Sequence, residues 1–141
     1  MFAFALAIII SFSIFAWSFK STPVVTIEDV SVNPNTTHVN NLVELSLTLQ
    51  NNDQANSHQV ELKFESHSLV TFILGNERLP TSGGAYIYGT VLSPSAKLTQ
   101  PFKVSASLEQ GIAELSYQIT IRLYVDGAQL DTKKLTLKVQ V

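Results

Sequence analysis

Three histidines, His38, His58 and His67, are the whole imidazole complement of this 141-residue chain, which has no cysteine. His58 and His67 fall in a polar turn and just beyond a strand-like run. With no thiolate and no His-x-x-x-His spacing, a metal site is not expected, and all three read as solvated loop histidines. Glu44, Glu61 and Glu65 could supply a carboxylate pair for acid–base work, but outward strand faces account for them better. Gly83-Gly84 has no Lys-Ser/Thr after it and reads as a turn, not a phosphate loop. No serine lies in a Gly-x-Ser-x-Gly elbow. Tyr86, Tyr88, Tyr117 and Tyr124 form either an aromatic contact surface or half-buried sheet positions, the commoner case. The one Asn-x-Ser/Thr tripeptide begins at Asn35, which makes Asn35 the candidate glycosylation acceptor. No catalytic, cofactor-binding or metal-binding residue is assigned, and the chain is expected to be neither an enzyme nor a cofactor carrier.

The elements that would position any such group start from the first nineteen residues. Between Met1 and Lys20 there is no charge, glycine or proline. As a helix this run would be about 27–28 Å long, close to the ~30 Å hydrocarbon layer of a bilayer. Apolar residues occupy every face: Phe2, Phe4, Leu6, Ile8, Ile9, Ile10, Phe12, Ile14, Phe15, Trp17 and Phe19. The segment is therefore not an amphipathic surface helix. Trp17, Phe19 and Lys20 stand where an aromatic and basic interface anchor belongs. Three readings compete: an uncleaved single-pass anchor, a cleaved signal peptide, and a pilin-like rod packed against copies of itself. No basic residue precedes the run, and Ser13-Ile14-Phe15-Ala16 is a poor cleavage site, so the anchor is preferred. The expected division is 1–20 for the membrane-spanning or filament-core helix and 21–141 for the folded domain.

A domain of about 120 residues can bury a sizeable core. Net charge is −2 and charged residues make up 14%, against the usual ~25%. No basic field is available to hold nucleic acid or to draw the domain onto anionic lipid. The expected partners are instead the bilayer or further copies through residues 2–19, and other surface or membrane proteins.

Beyond Pro23, which breaks the helix, the period changes to two. Val24–Val32 reads as a first strand, with Glu28-Asp29 marking a bulge. Leu42–Gln50 is the clearest strand, with Val43, Leu45, Leu47 and Leu49 on one face. Val60, Leu62 and Phe64 alternate with Glu61, Lys63 and Glu65. Leu69–Leu74 runs into the turn signal Gly75-Asn76, and a short strand at Tyr86, Tyr88 and Val91 follows. Pro94 and Pro101 flank a polar connection, after which Phe102, Val104 and Ala106 resume the alternation. Leu108, Ile112 and Leu115 are helix-spaced behind a Ser107 cap, so a short helix is expected there. Tyr117–Val125 and Leu135–Val141 form a closing hairpin around Asp126-Gly127. One-sided alternation throughout predicts an antiparallel immunoglobulin- or fibronectin-like β-sandwich of seven to eight strands with one short helix. If Lys134–Val141 lies at a sheet edge, it can pair with another chain.

The order of features in residues 42–141 resembles the late-embryogenesis-abundant type 2 family, the water-stress-and-hypersensitive-response domain. An alternating strand, here Val43–Gln50, runs into Asn51-Asn52-Asp53, where that family usually has proline after the first asparagine. A second strand reaches a Gly-Asn-like turn, here Gly75-Asn76-Glu77-Arg78-Leu79. Pro101–Ala106, a short helix around Leu108–Leu115 and a closing hairpin complete the pattern. The resemblance implies a small sandwich with one helix, no catalytic centre, frequent attachment to an N-terminal membrane segment, and a stress-protective role with some lipid contact. Adhesion-type immunoglobulin-like domains of prokaryotic surface proteins look almost as similar. The heads of archaeal pilins and archaellins are similar too, although their rods are usually longer than nineteen residues. The reading is a membrane-anchored sandwich outside the cytoplasm with a structural or interaction role. The alternatives are an extracellular filament subunit and an accessory subunit of a larger membrane complex.

Overall fold

A computed structural model of the chain describes residues 23–141. The apolar residues from Phe2 to Phe19 lie outside the described residues. Eleven strands follow one another: β1 (Val25–Asn33), β2 (Thr36–His38), β3 (Val43–Asn51), β4 (His58–Glu65), β5 (Val70–Leu74), β6 (Glu77–Arg78), β7 (Thr81–Ser82), β8 (Ala85–Leu92), β9 (Lys97–Ala106), β10 (Glu114–Val125) and β11 (Ala128–Gln140). Eight are long, and β2, β6 and β7 have only two or three residues. They form a five-stranded sheet, β1-β3-β9-β5-β6, and a six-stranded sheet, β2-β11-β10-β4-β8-β7. Every pairing is antiparallel except β2 on β11, where Thr36–His38 run parallel to Lys138–Gln140.

The alternation in the sequence decides which residues lie between the sheets. Leu45, Leu47 and Leu49 of β3 are fully buried, as are Val60, Leu62 and Phe64 of β4 and Ile119, Ile121 and Leu123 of β10. The sheets meet through aromatic rings. Phe64 contacts Phe72 of β5 at 5.1 Å and Phe102 of β9 at 5.0 Å between centroids. Tyr86 and Tyr88 of β8 point inward, onto Phe72 and Phe102 respectively. Buried apolar area of this kind, at about 25 cal/mol per Å², is the main stabilising contribution.

Local signals hold where they rest on backbone chemistry. The β1–β3 register slips between Ile27 and Asp29, so Glu28 is the extra residue of a bulge. Asp126 and Gly127 both have positive φ, at 50° and 88°, as the tight β10–β11 turn requires. Gly75, at φ 64°, turns β5 into β6.

Three expectations are corrected. No helix occurs among the described residues, and Ser107–Ala113 is a turn-rich loop. Gly111 there has φ 87°, and Ile112 and Leu115 are each 41% exposed, so no apolar stripe is buried to hold a short helix. Leu115 instead pairs with Val139 as part of β10. Pro101 lies inside β9 opposite Ser46 of β3. The β5 register reaches only Lys103, so the missing amide of Pro101 falls outside that ladder. Finally, the last residues of β11 do not form a free edge. β2 lies along Lys138–Gln140, supported by the Lys138 amide bonded to the Asn35 carbonyl at 2.9 Å.

Candidate functional site

The strongest cluster of titratable groups lies at one end of the sandwich, where β3 gives way to β4 and β10 turns into β11. His58 opens β4, directly after the 52–57 loop. Its Nε2 is 2.8 Å from Asp53 Oδ2 in that loop, and its Nδ1 is 2.6 Å from Asp126 Oδ2 in the β10–β11 turn. The imidazole is 14% exposed. Solvated loop histidines were expected, and His58 is not one. Its partner Asp126 lies 68 positions away in the sequence and reaches it only through the β4–β10 pairing.

Each carboxylate is further oriented by main chain. Asp53 Oδ1 accepts from the amides of Ala55 and Asn56, and Asp126 Oδ1 accepts from the Gln59 amide. Both ring nitrogens can donate at once only when the imidazole is protonated. The hydrogen bonds to Asp126 and then Asp53 accordingly raise the His58 pKa above its ordinary value. Asp53 is pushed well below the usual carboxylate range, chiefly by the Ala55 amide and then by His58. Asp126 is lowered by His58 and by the Gln59 amide.

Asn51 sits beneath this cluster and is fully buried. Its Nδ2 reaches the carbonyls of Asn56, Leu92 and Ser93 at 3.0, 3.2 and 2.9 Å, while Oδ1 accepts from the Asp53 amide at 3.0 Å. The neighbouring Asn52 holds the start of the described chain, with its side chain on the Pro23 carbonyl at 2.9 Å and its amide on Val24 at 2.7 Å. Asn51 and Asn52 looked like turn residues, and no local signal marks Asn51 as a buried hub.

The other candidate residues are dispersed. His38 is exposed, with Nδ1 3.3 Å from the Val141 carbonyl. His67 Nδ1 accepts from the Leu69 amide, and its ring lies 5.3 Å from Tyr117. Glu65 takes Arg122 Nε at 3.1 Å to both oxygens. Glu61 lies 3.7 Å from Lys63, whose ammonium sits 4.6 Å from the centroid of the Tyr124 ring. Glu44 is exposed on the outer face of β3. Tyr117 is buried and donates to the Ser107 carbonyl at 2.7 Å, and burial raises its phenol pKa. Of the four tyrosines only Tyr124 lines the shallow depression on the outer face of the six-stranded sheet. Asn35 is exposed beside β2. Among the described residues no group of three His, Asp or Glu is arranged to hold a metal ion.

The cluster thus ties two loops together at one end of a two-sheet β-sandwich. No family model matches the chain, and no curated protein does. Solved structures do. The sporulation control protein Spo0M from Bacillus subtilis matches with a TM-score of 0.53 at 9% identity, over 85% of this chain and 51% of that one. The alkylpurine DNA glycosylase AlkC from Pseudomonas fluorescens, bound to DNA containing an abasic site analogue, matches at 0.48 with 14% identity. That match covers 84% of this chain and 31% of the glycosylase chain. A Niemann-Pick type C2 protein from the Japanese carpenter ant matches at 0.47 with 12% identity, over 85% of this chain and 96% of that one. The chain therefore spans about half or less of the first two. At this identity the likeness to Spo0M is one of fold.

Proposed function

We propose that this protein is a non-enzymatic interaction module: an immunoglobulin-like sandwich held at a membrane, outside the cytoplasm, by residues 1–20. The observation that carries the reading is the closure of His58. A general base needs one ring nitrogen turned to a substrate, and here each nitrogen faces a carboxylate within 2.8 Å. The most reactive-looking cluster is thus engaged in tying two loops together. What the domain presents to other molecules is sheet face and sheet edge. The chain also enters β1 at this tied end, through Pro23 and Val24, which suits a domain tethered to a bilayer from below.

Alkaline carbonate extraction of membranes from cells making the full chain tests this. The chain is expected in the pellet, accessible to external protease, and released when residues 1–20 are deleted. A full chain washed out by carbonate would overturn the anchor. Long polymers in electron micrographs of mild detergent extracts would move residues 2–19 into a filament core instead.

A further inference from the structure

The open edges of the two sheets differ in charge. β1 carries Glu28 and Asp29 and a bulge. β11 carries Asp131, Lys133 and Lys134 along the part that β2 leaves uncovered, with its own register shift opposite Leu123 and Tyr124. β6 is the pair Glu77-Arg78. Charges and bulges of this kind stop an edge from pairing with a foreign strand. β8 has neither. No Asp, Glu, Lys or Arg occurs anywhere from Leu79 to Ala96, and β8 contains no proline. Its register on β4 is unbroken from Leu92 to Tyr86.

On its outer side β8 is covered only at the start. β7 pairs with Ala85 and Tyr86, and the Ile87 amide then bonds to the Pro80 carbonyl at 2.8 Å. That bond puts the Ile87 main chain on the open side. By the alternation of an antiparallel ladder, the amides and carbonyls of Gly89 and Val91 point there as well. Among the described residues they have no partner on that side. The Val91 side chain is 64% exposed. Gly89 is flanked by a depression of about 330 Å³ toward Glu61, Lys63 and Tyr124. A glycine inside a strand commonly marks close approach of another backbone.

We propose that β8 is a homotypic docking edge, on which a second copy of this chain lays its own β8 antiparallel about a two-fold axis at Thr90. This rests on the interaction-module reading above and names the partner. The occupant follows from charge. The strand itself offers a charged strand no counter-charge, and among this chain's own described edges β8 has the longest run without Asp, Glu, Lys or Arg, against three residues in β2, two in β7 and five in β5. The register follows from the free main-chain groups. With Ile87 engaged by Pro80, pairing about Thr90 sets Gly89 of each copy opposite Val91 of the other, and each such pair exchanges two hydrogen bonds. The Val91 side chain then lies beside the position where Gly89 offers no side chain, and one sheet runs through both copies with their tied ends pointing in opposite directions, as for two copies held by facing bilayers.

The lack of cysteine makes single-cysteine probes silent elsewhere in the chain. Thr90 would face its own copy as a non-hydrogen-bonded pair, with Cα atoms about 4.5 Å apart, inside the range a disulfide spans. In the detergent-solubilised full chain, Thr90→Cys is expected to form a disulfide dimer under mild oxidation. It should do so about tenfold faster than Thr132→Cys on the charged β11 edge, because only a held pair has a high effective concentration. Adding Val91→Lys at this exposed position should remove that advantage while far-ultraviolet dichroism keeps its β signal. Equal rates at the two positions, no cross-link at Thr90→Cys, or a cross-link indifferent to Val91→Lys would each overturn the edge. A carbonate-resistant chain without the cross-link would overturn the homotypic edge and leave the anchored module standing.

Discussion

The two ends of the sandwich are closed by different chemistry. At the end where the chain enters β1, side chains do much of the closing. Asp53, His58 and Asp126 tie the 52–57 loop to the β10–β11 turn, and Asn51 ties β3 to the 93–96 connection. At the opposite end main chain bonds directly to main chain: Asn40 to Ala106 at 2.8 Å, Ser107 to Leu69 at 3.1 Å and Val141 to Ala113 at 3.1 Å. The buried Tyr117 hydroxyl, on Ser107, and the buried Thr37 hydroxyl, on His38, add side-chain bonds there. Main-chain bonds survive most substitutions, whereas a carboxylate–imidazole clasp can be removed by one residue or by protons. The difference teaches that the end where the chain enters β1 is the chemically adjustable one.

Four substitutions break or sharpen that contrast. The largest effect should come from the shared interior. Phe64→Ala removes a ring that touches both Phe72 and Phe102, costing about 3–5 kcal/mol. Chemical denaturation of the full chain in detergent should show both ends lost together in one transition. Asn51→Ala should cost about 1–3 kcal/mol for each buried partner left unsatisfied. Hydrogen exchange should then quicken around Asn56 and Ser95 before it changes at Asn40 or Val141.

The third prediction concerns pH. The folded pKa of His58 is raised, so its contribution to stability is full below the unfolded value of about 6.5 and is lost as pH rises through the folded value. The depressed Asp53 and Asp126 work in the opposite sense. Their contribution is present above the ordinary value of about 3.9 and disappears as pH falls through their folded values. Stability is therefore expected to peak between roughly pH 4 and 6.5 and to decline on the alkaline side. His58→Gln should flatten the alkaline decline in denaturant midpoints measured across that range. An undiminished slope in the variant would assign the decline to other groups. The smallest effect belongs to the far end. Tyr117→Phe should lose one hydrogen bond, about 0.5–1.5 kcal/mol, and leave the pH profile between 5 and 8 as it was.

Much of the sheet structure was legible because alternation is local. Val43–Leu49, Val60–Phe64 and Tyr117–Val125 each write their buried face in consecutive residues, and Asp126-Gly127 supplies a turn from two neighbours. The bulge at Glu28 was legible for the same reason, since two adjacent charges cannot both keep the outward face. The expected helix failed because helical spacing at Leu108, Ile112 and Leu115 says nothing about whether a surface exists to bury that stripe. Pro101 misled because its cost depends on which neighbour strand reaches it. The clasp was beyond local reading. His58, Asp53 and Asp126 become neighbours only once β4 pairs with β10, and a histidine beside a polar turn looks the same whether it is solvated or gripped. The parallel placement of β2 on β11 carries no local mark either.

That short parallel pair has a mechanical meaning. β1 begins at the end tied by His58 and β11 finishes at the opposite one, while the chain crosses from one sheet to the other between Asn33 and Thr36. A pull between Pro23 and Val141 would draw Thr36 and Gln140 apart along their common direction. The bonds joining β2 to β11 lie across that direction, so they would be loaded together in shear and not opened one by one. The three residues Thr36–His38 would act as a latch, bearing tension before either sheet begins to peel.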